Sequence, residues 1–255
     1  MITSLPPLDL ALLCAAALCA GAIDAIAGGG GLITLPALLA VGLPPHIALG
    51  TNKGQAVFGA TAALHGFARA GLVDKSRAKL TFPLGLLGSL AGAALVLLVD
   101  SAVLRPVVLV LLCAIAVFLA FRPTALEQRP PARHPLAVAG TLALTIGVYD
   151  GFFGPGTGTL LILGGVYLLG QPMARASADA KVVNFASNLA AVALFASRGT
   201  VLWSVAAPMA VAQFAGGALG ARLAVRGGDV LVRRIVLVVV LGLCARLARD
   251  AWMAL

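Results

Sequence analysis

The sequence predicts an all-α, polytopic integral membrane protein: two inverted repeats of about five helical segments each, with broken or short helices at glycine-rich motifs. Three observations predict it. First, 61% of the 255 residues are hydrophobic and only 11% are charged, whereas soluble domains carry roughly 25% charged residues to cover a wet surface. Second, several apolar runs approach the ~20 residues that cross a bilayer core. Third, the chain matches itself. Asp24 corresponds to Asp150 and Gly28 to Gly154. After two extra residues in the second half, Lys53 corresponds to Lys181, Phe67 to Phe195, Gly71 to Gly199, Gly88 to Gly216, Gly92 to Gly220 and Arg105 to Arg233.

The elements follow in order. Met1 to Asp9 contains no Lys or Arg, so it lacks the basic start of a signal peptide, and the first apolar run, Leu10 to Ile23, reads as a retained helix. Ile23 to Leu35 is a glycine-rich break, followed by a short apolar segment, Leu32 to Leu43, and the turn Pro44-Pro45. A polar-flecked helix carrying Lys53 comes next. Leu80 to Val99 is a charge-free run between Lys79 and Asp100, and Pro106 to Phe121 lies between Arg105 and Arg122. The polar stretch from Phe121 to Pro135 divides the chain, giving a first repeat over 1–121, a linker over 122–135 and a second repeat over 136–255. Pro135 to Tyr149, the break Tyr149 to Leu161, the short segment Thr159 to Gly170 and the turn Gln171-Pro172 repeat the pattern. A helix carrying Lys181 and the spans Gly199 to Ala221 and Ile235 to Ala245 complete it.

Loop charge orients the repeats. The loop Arg69 to Lys79 holds four basic residues and its partner only Arg198, whereas the turn Asp100 to Arg105 holds one and its partner holds Arg222, Arg226, Arg233 and Arg234. Equivalent loops of opposite bias face opposite sides. Five crossings per half then place both termini outside, with the basic loops and the 122–135 linker in the cytoplasm; Arg246 and Arg249 run against this. The net charge of +9 forms no basic stripe of the kind that binds nucleic acid. Cys14, Cys19, Cys113 and Cys244 lie in apolar segments without zinc or disulfide spacing, and His46, His65 and His134 have no metal spacing. Gly88-x-x-x-Gly92 and Gly216-x-x-x-Gly220 are small-residue faces for close helix packing.

The two breaks hold the candidate site. Glycine and proline at this density interrupt a helix, and freed backbone at membrane depth is tolerated only where protein or a cavity surrounds it. A 12-residue segment rises ~18 Å, so the glycine tips lie past the midplane of a core ~30 Å thick. Lys53 and Lys181 reach a similar depth. Backbone N–H groups at the start of a half-helix favour negative charge. The expected anion-binding residues are therefore Gly28, Gly29, Gly30, Gly31, Thr51, Asn52 and Lys53 in the first half. In the second they are Gly154, Gly156, Thr157, Gly158, Lys181, Asn184 and Asn188. Thr159 is a further hydroxyl. Asp24 and Asp150, one turn before the breaks, are the expected coupling or gating residues, because a carboxylate beside an anion repels it until protonated. The alternative is structural: Lys53 pairs with Asp24, and Lys181 with Asp150 or Asp179.

The runs GAIDAIAGGGGLITLPALLAVGLPPHIALGTNK, GVYDGFFGPGTGTLLILGGVYLLG and AKVVNFASNLAAVALFASRG resemble the two signature repeats of the sulfite exporter TauE/SafE family, in the branch of bacterial probable membrane transporter proteins. The resemblance covers nearly the whole chain. It implies secondary transport of a small anion across the bacterial inner membrane, with sulfite, organosulfonates and related sulfur anions as the substrate class. Its glycine motifs fall on Gly28 to Gly31 and Gly154 to Gly158. The expected partners are a small inorganic or organic anion, the lipid bilayer, protons or Na⁺, and a second copy of the chain. No cofactor, metal or catalytic residue is expected. Two rival readings are an intramembrane aspartyl protease using Asp24 and Asp150, whose second signature (GxGD) is absent here, and a cation-coupled importer of another small anion.

Overall fold

Proline and glycine punctuate the chain at the places where its helices begin and end. In the computed structural model, backbone is described for residues 5–121, 130 and 132–252, and side chains for the same residues except 116, 119–121 and 228–252. The described residues form nine helices: α1 (Pro7–Ala27), α2 (Gly31–Ala40), α3 (Pro45–Arg69), α4 (Lys75–Leu97), α5 (Ser101–Phe121), α6 (Pro135–Phe152), α7 (Thr157–Tyr167), α8 (Met173–Ser197) and α9 (Trp203–Trp252). Pro7, Pro45 and Pro135 open α1, α3 and α6, where a proline's missing N–H costs nothing. Gly71 and Gly199 close α3 and α8 with φ of 71° and 66°, the left-handed conformation that glycine adopts without strain.

Five helices are long and apolar enough to cross a membrane: α1, α4, α6, α8 and the Trp203–Gly227 part of α9. The 25-residue α3 is also long enough, at ~37 Å. It carries too many polar residues to qualify by hydropathy, because one of its faces lines the site described below. The expected linker over 122–135 lies mostly outside the described residues.

One expectation needs correcting. The sequence reading separates 199–221 from 235–245, whereas the backbone runs as one helix from Trp203 to Trp252. No proline follows Pro208 in this stretch. Gly227 and Gly228 each cost only ~1 kcal/mol in a helix interior, so nothing forces a turn there. In the first half, the equivalent point is a true turn at Leu98 to Asp100, held by the Asp100 carboxylate accepting from the Ala102 N–H at 2.8 Å.

The halves pack on each other by exchange. α1 lies along α9, and its equivalent α6 lies along α4; α3 packs on α9, and its equivalent α8 packs on α4; α3 and α8 meet at the centre. The small-residue faces make the two long contacts. A Cβ on Gly88 or Gly92 would strike the backbone of α6 at Leu144 and Val148, and one on Gly216 or Gly220 would strike α1 at Leu18 and Ala22. These contact points are themselves repeat equivalents. Each half thus packs on the other through equivalent surfaces.

Candidate functional site

The exchange packing decides which charges meet. It carries the end of α1 over α8 and the end of α6 over α3. Lys53 Nζ on α3 therefore donates to Asp150 Oδ1 on α6 at 2.7 Å, and Lys181 Nζ on α8 donates to Asp24 Oδ2 on α1 at 2.7 Å. Both lysines are buried, as is Asp150; Asp24 keeps 22% of its side chain exposed. Each pair joins the two halves. The alternative pairing within a half, Lys53 to Asp24 and Lys181 to Asp150 or Asp179, is not found. Repeat spacing identifies equivalent residues but does not say which half each faces. Asp150 is also held by the Thr157 hydroxyl at 2.9 Å and by the Ser187 hydroxyl.

The glycine breaks meet at the same place. α1 ends at Gly28 with φ 76°, and α6 is followed by Gly154 with φ 98°. The Thr159 N–H donates to the Gly28 carbonyl at 3.0 Å, and its hydroxyl donates to the Ala27 carbonyl at 2.8 Å. One break is thus clamped to the other, and part of the α7 N-terminus is used by protein. A Cβ on Gly28 would overlap the Gly158 backbone, so only glycine allows the approach.

Between the breaks lies a small polar cavity. It offers about 30 Å³ to the centres of water-sized molecules, where one water needs ~10–15 Å³ by that measure. It therefore accommodates a few waters or a compact anion. Among the expected site residues, Gly28, Gly31, Asn52 and Lys53 line it from the first half. Gly154, Gly156, Thr157, Gly158, Asn184 and Asn188 line it from the second, and both Asp24 and Asp150 border it.

Four expected residues stand elsewhere. The Gly29 carbonyl accepts from the Leu32 N–H. The Gly30 N–H points back to Asp24 Oδ1 at 3.4 Å. Lys181 is fully buried behind Asp24. Thr51 faces α9, where its hydroxyl accepts from the Leu202 N–H at 3.0 Å. Its repeat equivalent is Asp179, whose Oδ1 accepts from the N–H of Asp74, the equivalent of Leu202, at 2.9 Å. These contacts are matching latches between a loop and the opposite half, one neutral and one charged. The Asp179 latch is reinforced by Arg77 and Gln171, each donating to Oδ2 at 2.6 Å.

Thr34, Gln55 and Gln213 line the cavity without having been singled out in the sequence. Gln213 had a visible signal, since an uncharged polar residue in the middle of the Gly199 to Ala221 run is unusual at membrane depth. Thr34 donates to Asn52 Oδ1 at 2.6 Å and Gln55 Nε2 donates to the same oxygen at 3.1 Å. No three His, Cys, Asp or Glu side chains converge on a metal position among the described residues.

Two interchanged half-bundles, broken helices that meet at a polar cavity, and buried ion pairs between the halves are the architecture of a membrane transporter. The model of the family described as sulfite exporter TauE/SafE matches residues 13–247. The chain is 40% identical over 245 residues to "Probable membrane transporter protein ORF9" of a Sinorhizobium species, covering 94% of this chain and 93% of that one. It is 40% identical over 242 residues to a "Probable membrane transporter protein" of Haemophilus influenzae, covering 94% and 95%. It is 39% identical over 246 residues to "Probable membrane transporter protein YfcA" of Escherichia coli K12, covering 96% and 91%. No solved structure matches it significantly. The chain belongs to the sulfite exporter TauE/SafE family. It is a multi-pass inner-membrane transporter and not an enzyme. The protease reading falls with this, and Asp24 and Asp150 each engage a lysine where an aspartyl protease needs them to share a proton with each other.

Proposed function

We propose that the central cavity binds a small anion of the sulfur oxyanion or organosulfonate class and that the chain carries it across the inner membrane together with protons. The observation that carries this reading is the pair of crossed Lys–Asp bridges between the halves, both at 2.7 Å. Lys53, Lys181, Asp24 and Asp150 sum to zero charge. An anion entering a neutral, desolvated site leaves one uncompensated charge, which costs several kcal/mol. A proton arriving with it restores balance. Protonated at Oδ1, Asp150 releases Lys53 Nζ, which turns to the anion while the Thr157 and Ser187 hydroxyls keep the neutral acid in place. Asp24 and Lys181 form the equivalent bridge in the other half, with Asp24 at the cavity and Lys181 behind it. The bridges also tie the halves together, so their opening and the rocking of one half against the other become one event. The matched latches at Thr51 and Asp179 fit inverted repeats, with one latch near each membrane face.

Equilibrium binding of sulfite to the purified protein, at several pH values in unbuffered and buffered media, tests this. Binding should be accompanied by proton uptake of about one per monovalent anion. Lys53→Ala should abolish binding in a protein that remains monodisperse. Sulfite binding without proton uptake and undiminished by Lys53→Ala would sink the proposal.

A further inference from the structure

Resting on that reading of the cavity, we propose that the carboxamides of Gln55, Gln213 and Asn184 select its ligand, making it a site for oxyanions and not for halides. All three line the cavity and are almost completely buried, with exposures of 0%, 3% and 4%. Each has a side-chain oxygen with no hydrogen-bond partner within the protein. Native structures leave few buried polar atoms unpaired, and leaving one so is costly. Three in one cavity mark groups whose partner is the ligand.

A carboxamide can serve an anion because its two arms are interchangeable. Rotation by half a turn exchanges the acceptor oxygen for an NH₂ with two donors. Around Gln55 the surroundings permit this rotation. At present Thr34 and Gln55 both donate to Asn52 Oδ1. If Asn52 turns over, its NH₂ donates to the Thr34 hydroxyl and to Gln55 Oε1, while Thr34 donates to the Gly30 carbonyl, which lies 3.3 Å away. Gln55 then presents its NH₂ to the cavity. The chain Thr34–Asn52–Gln55 thus has two complete hydrogen-bonding patterns, one offering an acceptor and one offering donors.

The fold does not demand these amides. Gln55, Gln213 and Asn184 correspond in the repeat to Val183, Gly85 and Ala56, so equivalent positions in the other half tolerate residues with no polar side chain. The lysines and aspartates obey the repeat and the amides do not. The charges belong to the machinery common to both halves, and the amides belong to the ligand. Neutral donors also keep the charge balance of anion plus proton, and a third fixed cation would upset it. Planar donors suit a multi-oxygen anion, whose directional lone pairs each find an N–H. A halide offers no such set. Sites built to hydrogen-bond a ligand group reject analogues that lack it far more strongly than apolar pockets sort by size.

The test is competition against radiolabelled sulfite on wild-type protein in nanodiscs, with nitrate, chloride and iodide as competitors. Gln55→Met and Gln213→Met remove the amides at nearly constant volume. Gly59→Ala provides an independent route, because the stem of Gln213 occupies the space that the new Cβ would need, so the amide moves without loss of a polar group. Wild type should prefer sulfite and nitrate over the halides. Each variant should bind sulfite about tenfold or more weakly while its halide affinity stays unchanged. Monodisperse variants, Gly59→Ala among them, that keep the wild-type ratio of sulfite to chloride overturn the assignment of selectivity but leave an anion site in place. Failure of every anion to bind wild type overturns both that site and its selectivity.

Discussion

The crossed ion pairs make a quantitative prediction that a different pairing would not. Two unit charges 2.7 Å apart attract by ~6 kcal/mol at an effective dielectric of 20, and desolvation of both groups opposes most of that. Removing one partner leaves the other charge unpaired, and where that charge is Asp150, Lys53 or Lys181 it is buried, so Lys53→Met, Asp150→Asn and Asp24→Asn should each destabilise by ~3–5 kcal/mol. Lys53→Met belongs at the low end, since Thr157 and Ser187 still hold Asp150. Lys181→Met belongs below that range, because Asp24 keeps 22% of its side chain exposed and can be hydrated when the lysine is gone. Removing both partners of a true pair costs less than the sum. Double-mutant cycles for Lys53 with Asp150 and for Lys181 with Asp24 should therefore show coupling of ~1–3 kcal/mol, and cycles for Lys53 with Asp24 and Lys181 with Asp150 under ~0.5 kcal/mol. Equilibrium unfolding in mixed micelles by SDS titration supplies the free energies. Coupling within a half as large as coupling between halves would refute the exchange geometry.

Three further predictions follow from other parts of the fold. Gly92→Val and Gly220→Val drive side chains into the Val148 and Ala22 carbonyls and should each destabilise by ~1–3 kcal/mol, read as a lower melting temperature; an unchanged melt would contradict the close packing of α4 on α6 and α1 on α9. Asp74 caps α4 by accepting from the Ser76 and Arg77 N–H groups, so Asp74→Ala should cost ~1 kcal/mol. The Ser76 hydroxyl, and then the Arg77 N–H, hold the Asp74 carboxyl below its usual 3.8; a depressed value stabilises fully above pH 3.8 and is lost as pH falls through the folded value, so the gap between wild type and Asp74→Ala should narrow under acid, and a gap constant with pH would count against the cap. Single cysteines at positions 77 and 198, in a cysteine-free background, should label from opposite sides of intact cells, and labelling from one side would defeat the inverted arrangement.

Much of the fold was legible because lipid leaves few options. A charge-free run such as Leu80 to Val99, closed by Lys79 and Asp100, can do little except span, and α4 covers nearly all of it. The breaks were legible because Gly28 to Gly31 and Gly154 to Gly158 cannot sustain a helix against lipid. The continuity of α9 was not, since charged residues and two glycines suggest a turn without compelling one. Which residues line the cavity was readable wherever a polar residue had no other reason to be at that depth, as with Lys53, Asn184 and Asp150. The reading failed for Thr51, which lies one residue before Asn52 and so turns to α9 and away from the cavity. The partners of the charges were hidden for a different reason: the repeat fixes which residues are equivalent, while only the packing of glycine faces between the halves fixes which residues touch.

The central claim is that anion and proton move together because they share one charge-balanced site. The most direct measurement is sulfite flux into proteoliposomes across an imposed one-unit pH step, for wild type, Asp24→Asn and Asp150→Asn. The account predicts that the step drives wild-type accumulation against a sulfite gradient, and that the Asn variants retain downhill flux but lose the response to pH. Wild-type flux indifferent to the pH step, or Asn variants that still accumulate sulfite under it, would contradict the account.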